Sequence, residues 1–88
     1  MLAQHVTVVN PLGLHARAAA RFVHVASRFR SQIRVARGPR TMDGKSILGL
    51  LLLAAARGSD LQITADGIDE AEAIAALVDL VARGFEDA

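Results

Sequence analysis

The sequence has no cysteine, no tryptophan and no tyrosine, and only two prolines and three phenylalanines among its 88 residues. Without cysteine there is neither a disulfide framework nor a thiolate metal site. With aromatics reduced to Phe22, Phe29 and Phe85, the core must be aliphatic. The stacking platforms that single-stranded nucleic acid needs are scarce for the same reason. The longest apolar run, Ile47 to Ala56, is well short of the ~20 residues required to span a bilayer. Met1-Leu2-Ala3-Gln4-His5 has neither the basic region nor the apolar region of a secretory signal. These absences predict a soluble cytoplasmic protein with no membrane insertion.

Negative charge is missing from one half of the chain. Residues 1–42 hold Arg17, Arg21, Arg28, Arg30, Arg34, Arg37 and Arg40 and no acid, while residues 43–88 hold all nine acids beside Lys45, Arg57 and Arg83. The net charge is only +1, so the asymmetry matters more than the total. It predicts a basic surface suited to an acidic or phosphorylated partner.

A length of 88 residues supports one small domain, residues 1–88, with a single core. Alternation predicts a strand over Gln4 to Val9, with Val6 and Val8 on one face and His5 and Thr7 on the other. His5 is expected to be a surface strand residue. Ala19, Phe22, Val23, Ala26 and Phe29 recur at helical spacing and predict a helix from Ala16 to Phe29. A second strand is expected over Gln32 to Arg37 and a third near Arg40 to Met42, joined at Gly38-Pro39. Ser46 is a candidate N-cap for a second helix over Ile47 to Ala56, with Arg57-Gly58 at its end. The last strand is Leu61 to Ala65. A third helix follows, with Asp69 and Glu72 as a capping box, an apolar stripe of Ile74, Leu77, Val78 and Val81, and Arg83-Gly84 as the stop. The order is βαββαβα, an α+β arrangement in which a four-stranded sheet with one wet face buries the apolar sides of the helices.

The most informative stretch is Asn10-Pro11-Leu12-Gly13-Leu14-His15-Ala16-Arg17-Ala18-Ala19. Pro11 and Gly13 end the first strand, and the chain turns helical at Ala16. His15 therefore falls at or beside an N-cap, against first-turn N–H groups that lack intrahelical partners and carry the positive end of the helix dipole. That field favours a neutral ring with a free lone pair. A phosphoryl group on the ring would find the free N–H groups and the Arg17 guanidinium within reach. Below His15 the same helix carries Arg17, Arg21, His24 and Arg28, spaced four, three and four residues apart on one face.

Gly13-Leu14-His15-Ala16-Arg17-Ala18-Ala19 resembles the active-site motif of HPr, the histidine-containing phosphocarrier of the bacterial sugar phosphotransferase system. Gly44-Lys45-Ser46-Ile47-Leu48-Gly49-Leu50 resembles that family's regulatory serine segment. The resemblance covers essentially the whole chain and implies an open-faced sandwich with an antiparallel sheet in the order 1-4-2-3 under three helices. It implies that the protein is a carrier and not an enzyme, with no metal or cofactor in its own site and with His15 as nucleophile through Nδ1. Arg17 would stabilise the transferring group, and the amides of Ala16, Arg17 and Ala18 would cradle it. The implied partners are enzyme I as donor and enzyme II A-type domains as acceptors, met through Arg21, His24 and Arg28 and through an apolar patch of Ile47, Leu48 and Leu51. Ser46 would be phosphorylated by a dedicated serine kinase in some bacteria. One position departs from the pattern: Ala18 stands where the family usually has proline, which removes some rigidity from the first turn and adds an N–H. A carrier that offers one face to two partners is expected to be a monomer. The competing readings are a regulatory carrier of a nitrogen-related branch, a carrier-like protein that only binds, and a small basic nucleic-acid-binding domain. The scarcity of aromatics argues against the last.

Overall fold

The computed structural model describes residues 1–87. In chain order its elements are β1 (Leu2–Thr7), α1 (Ala16–Ala26), β2 (Gln32–Arg37), β3 (Arg40–Asp43), α2 (Ile47–Leu52), β4 (Asp60–Asp66) and α3 (Glu70–Ala82), followed by a single 3-10 turn over Gly84–Glu86. The sheet order is β1-β4-β2-β3 with every neighbour antiparallel. This is the α+β open-faced sandwich that the resemblance implies.

The register explains which face is covered. On the central strand, Leu61, Ile63 and Ala65 are buried, and they stand opposite Val6, Gln4 and Leu2 on β1. On the other side, Ile63 and Ala65 stand opposite Val35 and Ile33 of β2. Helix α3 packs over β1 and β4, and α1 packs against α2 and α3. Phe22, Leu50, Leu53, Leu77, Leu80, Val81 and Phe85 complete a core with no more than 1% exposure at any of them. Burying each such side chain contributes roughly 2 kcal/mol. The opposite face is polar: His5 pairs with Gln62, Ala3 with Thr64 and Thr7 with Asp60. His5 Nδ1 meets Asp60 Oδ2 at 2.7 Å with both side chains exposed, a surface pair of little energetic weight.

Several expected boundaries shift. β1 ends at Thr7 rather than Val9. Val8 is nevertheless buried, because the chain leaves the ladder there and pairs with the turn before β4, Val8 N–H donating to Ser59 O and Gly58 N–H to Val8 O. Helix α1 stops at Ala26, short of Phe29; Arg28 and Phe29 follow it in a tighter turn whose N–H groups donate to Val25 and Ala26. Helix α2 stops at Leu52, not Ala56. Ala54 takes a left-handed φ of 50° that a helix cannot continue, and the Arg40 and Arg37 guanidinium groups donate to the freed carbonyls of Leu52 and Leu53. Gly58 is accordingly a turn residue before β4 and not the cap of α2. The Asp69-Glu72 capping box does not form. Asp69 begins α3 without a side-chain cap bond, because its carboxylate is taken by the N–H groups of Arg30 and Ser31 and by the Ser31 hydroxyl. Glu70 instead reaches back to accept from Gly67 N–H at 3.2 Å.

Candidate functional site

The loop after β1 is built to deliver one side chain. Gly13 N–H donates to Asn10 O at 3.1 Å, and the Asn10 amide nitrogen donates to Gly13 O at 2.8 Å, closing a tight turn from both directions. Gly13 sits at φ +65°, where a Cβ would stand 2.5 Å from Ala55 O. Leu14, 6% exposed, donates its N–H to that same oxygen at 2.9 Å. With the two preceding residues pinned, His15 becomes the N-cap of α1 in an extended conformation, and its carbonyl accepts the Ala19 N–H at 2.8 Å.

The two ring nitrogens of His15 face different partners. Nδ1 accepts from the Arg17 N–H at 3.3 Å, so the ring itself caps the first turn. Nε2 lies 2.7 Å from Asp87 Oδ2, with the His15 side chain 22% and the Asp87 side chain 10% exposed. Asp87 is the hub of the site. Its Oδ2 also accepts from the Asn10 amide at 2.9 Å, while its Oδ1 accepts from Arg21 at 3.4 Å and lies 3.8 Å from Arg17 Nε. The hydrogen bond to His15, with help from Asn10 and Arg17 and against partial burial, holds the Asp87 carboxyl below its usual range. A neutral ring that accepts at Nδ1 and faces a carboxylate at Nε2 carries its proton on Nε2. The lone pair is then on Nδ1, aimed at the N-terminal turn of α1.

The other residues singled out in the sequence divide into three groups. Ala16 and Arg17 are exposed beside the ring, whereas Ala18 is fully buried; its side chain takes a place in the core. Arg17, Arg21, His24 and Arg28 do line one groove of about 320 Å³, shared with Ala20, Val25 and Glu86, although Arg28 lies beyond the end of α1. Arg21 does more than line it, because its guanidinium donates to Phe85 O at 2.7 Å and so holds the segment that carries Asp87. On α2, Ser46 is the N-cap and its Oγ accepts from Gly49 N–H at 3.0 Å. Ile47, Leu48 and Leu51 are exposed as expected, and Leu52 and Leu12 join them. The Leu14–Ala55 bond draws the loop of His15 against the segment that follows this helix.

Part of the arginine surplus is engaged within the fold. Arg21, Arg37 and Arg40 each donate to carbonyls of their own chain, Phe85, Leu53 and Leu52. Among the described residues no cluster of metal-ligating side chains occurs, and no helix is long and apolar enough to cross a membrane.

A family model described as the phosphorylation site of the PTS HPr component matches residues 2–83. The chain belongs to the HPr family of phosphocarrier proteins. The phosphocarrier protein HPr of Pseudomonas aeruginosa is 48% identical over 88 residues, covering 99% of this chain and 98% of its own. Among solved structures, HPr-C-His from Thermoanaerobacter tengcongensis superposes with a TM-score of 0.95 at 42% identity, covering 100% of this chain and 99% of that one. An HPr dimer from the same organism superposes with a TM-score of 0.79 at 44% identity, covering 93% and 94%. As a member of this family the chain is a carrier of phosphoryl groups rather than an enzyme. Asp87, Asn10 and the structural role of Arg21 escaped the sequence reading. The only signal was Phe85 directly after the Gly84 stop, an apolar residue where a chain leaving a helix turns back to the core.

Proposed function

We propose that His15 accepts a phosphoryl group from phosphorylated enzyme I and passes it to an enzyme II A-type acceptor, the whole chain acting as one monomeric carrier domain. The observation that carries this reading is the placement of His15: an N-cap imidazole whose Nδ1 faces the first-turn amides of α1 and whose Nε2 faces a carboxylate. Attack at Nδ1 breaks the 3.3 Å bond from the Arg17 N–H, and that N–H is then free, with those of Ala16 and Ala18, to donate to the phosphoryl oxygens at the positive end of the helix. The Arg17 guanidinium, 65% exposed and 3.8 Å from Asp87, is loosely held and can turn to the phosphoryl group.

Docking uses the basic groove of Arg17, Arg21, His24 and Arg28 for an acidic surface and Ile47, Leu48 and Leu51 for an apolar one, a layout suited to brief binding of successive partners. Phosphorylation of Ser46 by a serine kinase would place negative charge beside that apolar surface and weaken the docking of an acidic partner. The test is incubation with phosphoenolpyruvate and enzyme I, read by intact mass. The expected result is a gain of one phosphate that is lost in acid and absent from His15→Ala. A folded wild-type chain that gains no phosphate, beside a control carrier that does, overturns the proposal.

A further inference from the structure

Three consecutive residues after α3 have positive φ: Gly84 at 69°, Phe85 at 56° and Glu86 at 61°. For phenylalanine and glutamate this is an unfavourable conformation, and here it is held from outside the segment. The Phe85 side chain is fully buried. Arg21 holds its carbonyl at 2.7 Å, and Asp87 N–H donates back to Gly84 O at 3.0 Å. The consequence of this strained strap is a single placement, the Asp87 carboxylate against Nε2 of His15.

We propose that Asp87 is a positioning residue for phosphoryl transfer, keeping the proton on Nε2 of His15 both before and after Nδ1 is phosphorylated. This rests on the carrier reading above. Among the described residues, the charged groups facing the Asp87–His15 pair are Arg17 and Arg21, both from α1; Asn10, from the preceding loop, is neutral and adds one hydrogen bond.

As the lone pair of Nδ1 forms the N–P bond, the donor's bond to phosphorus breaks and its electron pair leaves with the donor. No proton needs to move. The ring now bears the phosphoryl group on Nδ1 and hydrogen on Nε2 and has gained one positive charge, which lies against the Asp87 carboxylate. In onward transfer the N–P pair returns to Nδ1, the acceptor takes phosphorus, and the ring leaves as neutral imidazole. Had Nε2 lost its proton in between, the leaving group would have been imidazolate, a far stronger base and a poorer leaving group. A carboxylate that orients a histidine and supports the imidazolium form is a known device in other catalytic sites, where its loss costs at least about tenfold.

The experiment uses the full chain as wild type, Asp87→Asn and Asp87→Ala. Nitrogen-15 spectra of labelled histidine report which ring nitrogen carries hydrogen in the neutral, unphosphorylated ring. Onward phosphoryl transfer is timed across pH. Wild type is expected to show the Nε2–H tautomer alone, and both variants a mixture with Nδ1–H. Transfer from the phosphorylated variants is expected to be slower by about tenfold, with the deficit growing as pH rises, because the unsupported Nε2 proton is lost at lower pH. Identical tautomers and transfer rates in the three proteins overturn the proposal, as does a deficit constant across pH with an unchanged tautomer, which marks a merely structural residue. A wild-type chain that takes up no phosphate overturns the carrier reading, and the tautomer spectra, which need no phosphorylation, still decide the role of Asp87 toward the ring.

Discussion

Gly13 rests against the carbonyl of Ala55 so closely that a single methyl group would not fit: an added Cβ would lie 2.5 Å from that oxygen, which at the same time accepts the Leu14 N–H. Gly13→Ala therefore meets both a left-handed φ and a backbone collision. The expected cost is more than about 1 kcal/mol, or roughly 4–8 °C in melting temperature per kcal/mol for a domain of this size. Gly38 is the control. Its φ of 58° is similar, but nothing lies within 4 Å of its added Cβ, so Gly38→Ala should cost less. Thermal melts of the two variants check this, and equal losses would mean that contact with Ala55 is unimportant. Because the contact fixes the approach to His15, Gly13→Ala should also slow phosphorylation while Gly38→Ala does not.

Phe85 couples stability to the site. Its side chain is fully buried, and truncating it to alanine should cost about 3–5 kcal/mol, a large part of the 5–15 kcal/mol typical of a folded domain. Phe22→Ala, also in the core, should cost a similar amount by denaturant titration. The difference lies at the histidine: only Phe85→Ala should free Asp87 and alter the nitrogen-15 signature of His15 under conditions where both variants remain folded.

Asp69 gives the fold a definite response to acid. Its carboxyl is held down to about 2 from an ordinary 3.8, first by the Ser31 hydroxyl and then by the backbone N–H groups of Arg30 and Ser31. The folded state thus binds this proton more weakly than the unfolded chain does. The contribution is fully present above 3.8 and is lost as pH falls through about 2. Asp69→Asn should be less stable than wild type at neutral pH, and the gap between their denaturation midpoints should narrow across that window. Glu70 and Asp87, also lowered, steepen both curves alike, so the difference isolates Asp69. A gap that is constant with pH contradicts the assignment.

Ser46 caps α2 through a 3.0 Å bond from Gly49 N–H. Ser46→Ala should cost about 1 kcal/mol, whereas Ser46→Asp, an equally good cap, should cost little. The aspartate adds charge beside Ile47 and Leu48, and so should weaken binding to an acidic partner without lowering the melting temperature. Calorimetric binding to enzyme I, set beside thermal melts, separates the two effects.

The parts of this structure that were legible in the sequence are those in which neighbours along the chain decide the outcome. Alternation placed β2 and the inward set Leu61, Ile63 and Ala65. Pro11 and Gly13 placed the loop, and Ser46 the cap. What was not legible depended on contacts distant in sequence. Nothing near Ala54 announces that α2 ends there, because the carbonyls it frees are received by Arg37 and Arg40 across the hairpin. Asp69 and Glu72 have the spacing of a capping box, yet Ser31 and Arg30, 38 and 39 residues away, take the Asp69 carboxylate instead. At the site, the Gly-Leu-His-Ala-Arg motif pointed to His15 and Arg17 as the candidate residues. Asp87 meets His15 across 72 residues of sequence, held there by the burial of Phe85, the grip of Arg21 and the Asn10 amide.

The most direct test of the account is onward transfer itself. The chain, phosphorylated on His15 with labelled phosphate and freed of donor, is mixed with an enzyme II A-type domain and followed in time. The account predicts that label leaves the carrier and appears on the acceptor, that adding unphosphorylated carrier draws part of it back, and that Arg17→Ala slows both directions. Label that remains on His15, or is released only as free phosphate while a control carrier transfers normally to the same acceptor, would contradict it.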